Sequence, residues 1–274
     1  MKRDLSHFAG FKLSLDPTNL EIETADGLVL RRVSRTAGEL EPVLLSPGEV
    51  APQTELYRNY LLEEAPEDAR LALARDNLDF SLVFMPPMMV GREFVKTMGH
   101  YHPLIPGTNM AFPEVYTQFF GRLLLLLQKR KPADPNRVED CALVELTPGY
   151  VITIPPGYAH VLINASEEPA LMGGLYGSQR AFKPDYAPVK EKRGLAYYVV
   201  AQDGQIAVEP NPNYADSPPL RRLADLSDTP FAPVEPGAAL WQSLLARPEL
   251  YAFLSRPDAA TRHFNSPNNG GARA

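Results

Sequence analysis

Between Cys141 and Asn164 the chain reads CALVEL, TPG, YVITI, PPG and YAHVLIN, three apolar runs cut by two proline–glycine turns. Proline locks φ and lacks an N–H, so it is excluded from helix interiors and central ladders. No helix fits such spacing; three short strands in quick succession do. The same punctuation recurs along the chain. LDFSLVFM is closed by Pro86-Pro87, EFVKTMGHYH reads as a strand, and EVYTQFFGRLLLLLQ reads as strand on either side of Gly121. KRKPADPNRVED reads as a polar turn region. ALMGGLY and LAYYVV follow, and Asp203-Gly204 joins the latter to QIAVEP as a hairpin. Proline accounts for 28 of 274 residues, about twice the usual ~5%. Short strands at short intervals argue an all-β sandwich or barrel.

The flanks differ. LEIETADGLVLRRV alternates around Asp26-Gly27, a hairpin signal, and TELYRNYLLEEAPEDARLALARDN reads as helical in part, interrupted at Pro66. From about Asn211 the chain is proline-rich and irregular. AALWQSLLARPELYAFLSRP then offers two short helices, and NSPNNGGARA reads as disordered. The expected organisation is an N-terminal extension over residues 1–77 packing on the barrel, the barrel over 78–214, and a C-terminal extension with short helices over 215–274.

Net charge is −6 and no long Lys/Arg run exists, so neither nucleic acid nor an anionic membrane is an expected partner. The single cysteine, Cys141, allows no intramolecular disulfide and no thiolate zinc cluster. MKRDLSHFAG is charged without an apolar segment after it, and LLLLL is far short of a membrane span. A cytoplasmic protein is expected.

TMGHYHP places His100 and His102 one residue apart. On a strand, alternate side chains share a face, and two residues span about 7 Å at ~3.3 Å rise each. Glu114 lies downstream and His160 further on. Three histidines and one carboxylate form an N/O set without sulfur, suited to Fe(II), Mn, Ni, Zn or Cu. An antiparallel barrel brings them together if their inward faces meet near one end. Lys96, inward by strict alternation, is expected to be solvated at the barrel mouth.

These residues carry a resemblance. Gly149, Pro155, Gly157, His160 and Asn164 match every fixed position of the second cupin motif, G-x5-P-x-G-x2-H-x3-N. The first motif, H-x-H, a spacer, then E-x6-G, is matched by His100, His102, Glu114 and Gly121, with a spacer of eleven residues that implies an inserted loop. The resemblance implies a cupin double-stranded β-helix, a jelly-roll barrel in a mainly β chain. Its metal ligands would be His100, His102, Glu114 and His160, holding one divalent ion per chain, Fe2+ first and Mn2+, Ni2+ or Zn2+ as alternatives.

Within the cupins, TMGHYHP, PEVYTQFFG, LTPGYVITIPPGYAHVLINAS and LYGSQRAFKPDY resemble the archaeal-type glucose-6-phosphate isomerases over roughly Leu78 to Tyr214. The resemblance implies a homodimer that interconverts glucose 6-phosphate and fructose 6-phosphate through a metal-stabilised enediolate. Thr97, Gly99 and Tyr176 would hold the phosphate. Tyr116 would face the sugar, and Glu114 would sit beside the reacting carbons. The chain departs from the family at Met98, where lysine is frequent, at Val83, where threonine is expected, and before Asp185-Tyr186, where a histidine is replaced by FKP, leaving Lys183 or Arg180 to serve as the cation. Strict alternation would turn Thr97 and Gly99 away from the two histidines, so the resemblance requires a bulge near Met98-Gly99. A metal-dependent cupin dioxygenase and a non-catalytic sugar-binding cupin are the alternatives, because the same ligand set serves both.

Overall fold

The computed structural model describes residues 2–131, 134–178, 183–223 and 239–265. Its centre is two facing sheets. The larger has six strands in the order β12-β9-β14-β6-β5-β4: Val151–Ile154, Glu114–Phe120, Ala170–Gly177, Leu78–Met85, Glu55–Glu64 and Val29–Thr36. The smaller is β13-β10-β11-β17: Tyr158–Ile163, Leu123–Lys131, Asp134–Leu146 and Arg221–Leu223. A four-stranded flap, β16 (Gln205–Pro210), β15 (Tyr197–Gln202), β8 (Glu93–Phe94) and β7 (Met89–Val90), lies beyond them. A three-stranded N-terminal sheet holds β1 (Arg3–Asp4), β2 (Leu13–Asp16) and β3 (Glu21–Thr24). The chain is mainly β and has the cupin fold its motifs imply.

Alternation decides what each face of the large sheet does. On β6, Phe80, Leu82 and Phe84 point out, while Ser81 and Val83 line the interior cavity. On β14, Leu171 and Leu175 point out, while Gly174 and Tyr176 point in. On β9, Val115 and Phe119 point out, while Glu114 and Tyr116 point in. The outer face is therefore apolar and needs a cover. Leu5, Phe11 and Leu13 supply part of it, with Ala69 and Leu73 of helix Glu67–Arg75 and Leu240, Trp241 and Leu244 of helix Leu240–Ala246. Phe11, Phe80 and Trp241 meet edge to face, with centroids 5.0 to 6.0 Å apart. Each such side chain contributes about 1.5–3 kcal/mol by burial.

Several local expectations are corrected. Asp26 and Gly27 do form a turn with positive φ, but its arms separate: β3 pairs with β2, and β4 with β5. TELYRNYLLEE is strand β5, and the helix begins only after Pro66. Alternation at Tyr57, Asn59 and Leu61, all lining the cavity, outweighs the helix-forming Leu and Glu. Val29 to Glu64 thus supply the two strands at one edge of the large sheet. In KRKPADPNRVED, Lys129–Lys131 continues the β10 arm and Asp134–Asp140 the β11 arm rather than ending them. EFVKTMGHYH contains only the short β8, followed by isolated bridges. A third C-terminal helix, Pro257–Asn265, follows the two expected. The Asp203-Gly204 hairpin forms as read, with Gln202 opposite Gln205. The tail NSPNNGGARA lies outside the described residues, apart from Asn265 in the last helix. No described helix is long and apolar enough to cross a membrane.

Candidate metal centre

The segment after β8 runs antiparallel to β13. Asn164 N–H donates to Val95 O at 3.0 Å and Thr97 N–H to Leu162 O at 2.9 Å. Leu162 N–H donates back to Thr97 Oγ1 at 3.0 Å. Further along, His160 N–H donates to His100 O at 3.3 Å. From Thr97 to His100 is three residues and from Leu162 to His160 is two, so one extra residue is inserted on the histidine side. This is the required bulge. Gly99 sits in it at φ +75°, and a Cβ there would meet Val161 Cγ2 at 2.4 Å. The bulge lets Thr97, Gly99 and His100 line the same cavity, which a regular strand forbids.

Lys96, expected in solvent, is buried. Its ammonium donates to Val43 O at 2.7 Å and to the Glu93 carboxylate, beneath the Tyr198 ring at 4.9 Å. Three favourable partners offset the loss of water. Lys96 ties the flap to the barrel.

His100 and His102 meet Glu114 from β9 and His160 from β13. One potential ligand atom from each lies within 4.8 Å of every other. The imidazole centroids are 4.6 to 5.0 Å apart. Glu114 Oε2 lies 3.3 Å from His102 Nε2 and 3.5 Å from His160 Nε2. His102 Nδ1 lies 2.7 Å from Phe112 O; a carbonyl only accepts, so Nδ1 carries the proton and Nε2 presents a lone pair. Burial, reinforced by the neighbouring imidazoles, holds His100 and His160 well below the usual histidine range. Their rings are neutral donors. His160 Nε2 is buried without a hydrogen bond, a costly state for a polar atom unless an electrophile takes its lone pair. Two ligands on one ion stand at most about 4.2 Å apart at ~2.1 Å each, so contraction by a few tenths of an ångström would close the set. The donors therefore fit a divalent ion.

Tyr116 stands beside this group, its ring 5.5 Å from that of His160. Burial, then the Glu114 carboxylate, push its hydroxyl well above the usual tyrosine range, so it is a neutral donor to Glu114. Gly174 lies opposite Tyr116 on β14, and Tyr176 opposite Glu114. A Cβ on Gly174 would lie 3.0 Å from Glu114 Oε1.

The group opens onto a cavity of about 300 Å³, at the small end of ligand sites. Thr97, Gly99, His100, Glu114, Tyr116, His160 and Tyr176 all line it. Lys183 is exposed and is not among the described lining residues, whereas Pro184 and Tyr186 are. Arg180 lies outside the described residues. Sequence reasoning passed over Arg35, Tyr57, Asn59 and Tyr186. The first three stand on β4 and β5, where alternation was the available signal. Tyr186 lies 5.3 Å from the His100 ring, a contact no spacing announces.

A curated relative named Glucose-6-phosphate isomerase, from Thermococcus litoralis, is 29% identical over 159 residues, covering 58% of this chain and 72% of the relative. Another of that name, from Thermococcus kodakarensis, is 25% identical over 206 residues, covering 73% of this chain and 97% of the relative. Among solved structures, an oxalate oxidase in complex with the substrate analogue glycolate overlaps 41% of this chain and 47% of its own at 18% identity, TM-score 0.31. Hazelnut vicilin, from Corylus avellana, overlaps 57% of this chain and 32% of its own at 15% identity, TM-score 0.34. The profile of the family described as Glucose-6-phosphate isomerase (GPI) matches residues 35–216, which include strands β5 to β14 and all four members of the histidine–glutamate group, and the chain belongs to that family.

Proposed function

We propose that this protein is a metal-dependent aldose–ketose isomerase that interconverts glucose 6-phosphate and fructose 6-phosphate. The observation that carries this reading is the His100, His102, Glu114 and His160 group, three of them buried, opening onto the cavity that Thr97 and Tyr176 also line, in a chain of the glucose-6-phosphate isomerase family. These four residues would hold the ion, with Fe2+ the first candidate and Mn2+, Ni2+ and Zn2+ the others. When bound, the ion supplies Lewis acidity to the sugar's C1 and C2 oxygens.

The remaining work falls to the chain. Isomerisation of the open-chain sugar moves one proton between C2 and C1, and a second between O2 and O1, through an enediolate. Glu114 is the carboxylate at the site, and in this reading it takes the proton from one carbon and returns it to the other. Tyr116, a neutral hydroxyl donating to Glu114, steadies that carboxylate and faces the sugar. Neutral His100 and His160 keep their lone pairs for the ion rather than for protons. The Thr97 hydroxyl, the Gly99 N–H and the Tyr176 hydroxyl serve as donors to the phosphate.

The test is direct. Purified protein is loaded with each divalent ion in turn and assayed for conversion of glucose 6-phosphate. Fructose 6-phosphate formed with at least one ion, and abolished by chelation, is expected. No conversion with any ion, with oxygen uptake on an organic acid instead, would overturn the reading in favour of a dioxygenase.

A further inference from the structure

A phosphate dianion needs positive charge close by, because a chain of net charge −6 offers no long-range attraction for anions. The interior donors named above are neutral, and Glu114 is acidic. Among the described residues that line the cavity, one carries a permanent positive charge: Arg35. It stands on β4, opposite Tyr57 of β5. Val33, Arg35, Tyr57 and Asn59 all point to the cavity side.

Arg35 sits where the cavity continues outward. A neighbouring recess of about 240 Å³ is bounded by Arg35, Glu39, Tyr57, Met98, Tyr186 and Lys190. Arg35, Tyr57, Met98 and Tyr186 border both spaces. Tyr186 also reaches His100, with ring centroids 5.3 Å apart. The width of one tyrosine thus lies between the histidine group and the recess. In a hexose 6-phosphate the reacting C1 and C2 and the phosphate are at opposite ends of the carbon chain, which matches that separation. Lys190 is exposed at the rim, its Nζ 5.9 Å from the Tyr186 ring. Met98 borders the same recess.

The guanidinium is only partly engaged. Arg35 Nη1 donates to Glu39 Oε1 at 2.9 Å. The other Glu39 oxygen accepts the Thr36 N–H at 2.9 Å, closing a capping box. Glu39 therefore has a second task that holds it in place when an anion approaches the guanidinium.

We propose that Arg35, with Lys190 beside it, is the cationic anchor of the substrate's phosphate, held where the cavity opens into the Met98–Tyr186 recess. The proposal rests on the sugar-phosphate reading of the cavity and names its charged end. Glu39 acts as an internal competitor that the phosphate must outbid for the guanidinium edge.

The experiment uses metal-loaded protein. Inorganic phosphate binding is measured by calorimetry and glucose 6-phosphate turnover by steady-state kinetics. In Arg35→Leu, the phosphate Kd and the sugar-phosphate KM should each rise about ten- to a hundredfold, the effect of losing a charge-assisted hydrogen-bond pair, with a smaller fall in kcat and the parent's metal content. Arg35→Lys should lie between, since it keeps a point charge and loses the planar fork. Glu39→Gln should tighten phosphate by about threefold. A merely structural Arg35–Glu39 pair would lower Tm in that variant and leave phosphate binding unmoved, and this result overturns the proposal even if Arg35→Leu fails to fold. An unchanged phosphate Kd in Arg35→Leu overturns it as well. If the parent binds phosphate through Arg35 yet converts no glucose 6-phosphate, the anion site stands and the isomerase reading falls. If turnover is present and KM ignores Arg35, the anchor falls alone.

Discussion

His102 is oriented by Phe112: the imidazole Nδ1–H donates to the Phe112 carbonyl at 2.7 Å, which turns Nε2 toward Glu114 Oε2 at 3.3 Å. Phe112 belongs to the inserted loop, residues 103–113. The loop is closed by Ile105 N–H to Met110 O at 2.8 Å and Phe112 N–H to Pro103 O at 3.0 Å. Ile105 and Phe112 then pack on Ala260 of helix Pro257–Asn265. The C-terminal helix thus supports a histidine of the site through two intermediaries.

This chain of contacts sets an expectation for truncation. Ending the protein at Arg256 should lower metal affinity about tenfold, in the range for loss of an outer-shell partner. His160→Ala should take the ion content from one per chain toward none. Elemental analysis and competition with a chelating dye read both; full stoichiometry in His160→Ala would remove His160 from the ligand set.

Proton transfer through Glu114 predicts exchange with solvent. Product formed in deuterium oxide should carry solvent deuterium, and Glu114→Gln should reduce turnover far more than metal content. Mass spectrometry of the product decides the first point. An unlabelled product, with activity lost only in proportion to lost metal, would favour a direct hydride shift between the two carbons.

Thr97 bonds the Leu162 N–H and, in the proposed reading, the phosphate, and two substitutions separate these roles. Its Oγ1 accepts the Leu162 N–H at 3.0 Å. Thr97→Val should therefore cost about 1–3 kcal/mol of stability by stranding that N–H, as well as weakening sugar-phosphate binding. Thr97→Ser should restore both. Urea melts beside KM values test this, and a Val variant of parental stability would show that the bond to Leu162 is worth nothing.

Two glycines at the site should respond differently. Gly99→Ala places a methyl 2.4 Å from Val161 Cγ2 at φ +75° and should cost about 1–3 kcal/mol. Gly174→Ala meets Glu114 Oε1 at 3.0 Å and Tyr116 Cε1 at 3.2 Å. It should leave the melt nearly unchanged and weaken metal binding, because only flexible side chains need to move. Equal effects of the two on Tm would contradict this division.

Much of the barrel was legible because proline, glycine and alternation act locally. The apolar runs from Leu78 to Pro210 became strands where their punctuation placed them, apart from the segment after β8, and the polar stretch between β10 and β11 extended both strands beyond their apolar runs. The spacing from Gly149 to Asn164 is set by its turns, and its last residue also reaches across to β6. Asn164 Nδ2 donates to Met85 O at 3.1 Å and to Glu168 O at 2.9 Å, while its Oδ1 accepts the Ser166 N–H. That residue fixes the turn after β13, the strand that carries His160. The histidine–glutamate group was legible for the same reason, since side-chain type and spacing within two short motifs select it.

What the chain's pattern could not decide depends on contacts distant in sequence. TELYRNYLLEE carries helix-forming residues, yet it becomes a strand because β6 offers it an open edge and Tyr57, Asn59 and Leu61 a cavity to face. Lys96 has no local reason to be buried; it is so because Glu93 and Val43 O converge on it. Arg35 is 62 residues away from Thr97 in the sequence and joins it at one cavity only because the large sheet curls over the histidine segment. Local steric rules write the strands and the ligand spacing, whereas closure of one sheet over another decides which side chains share a solvent-poor space.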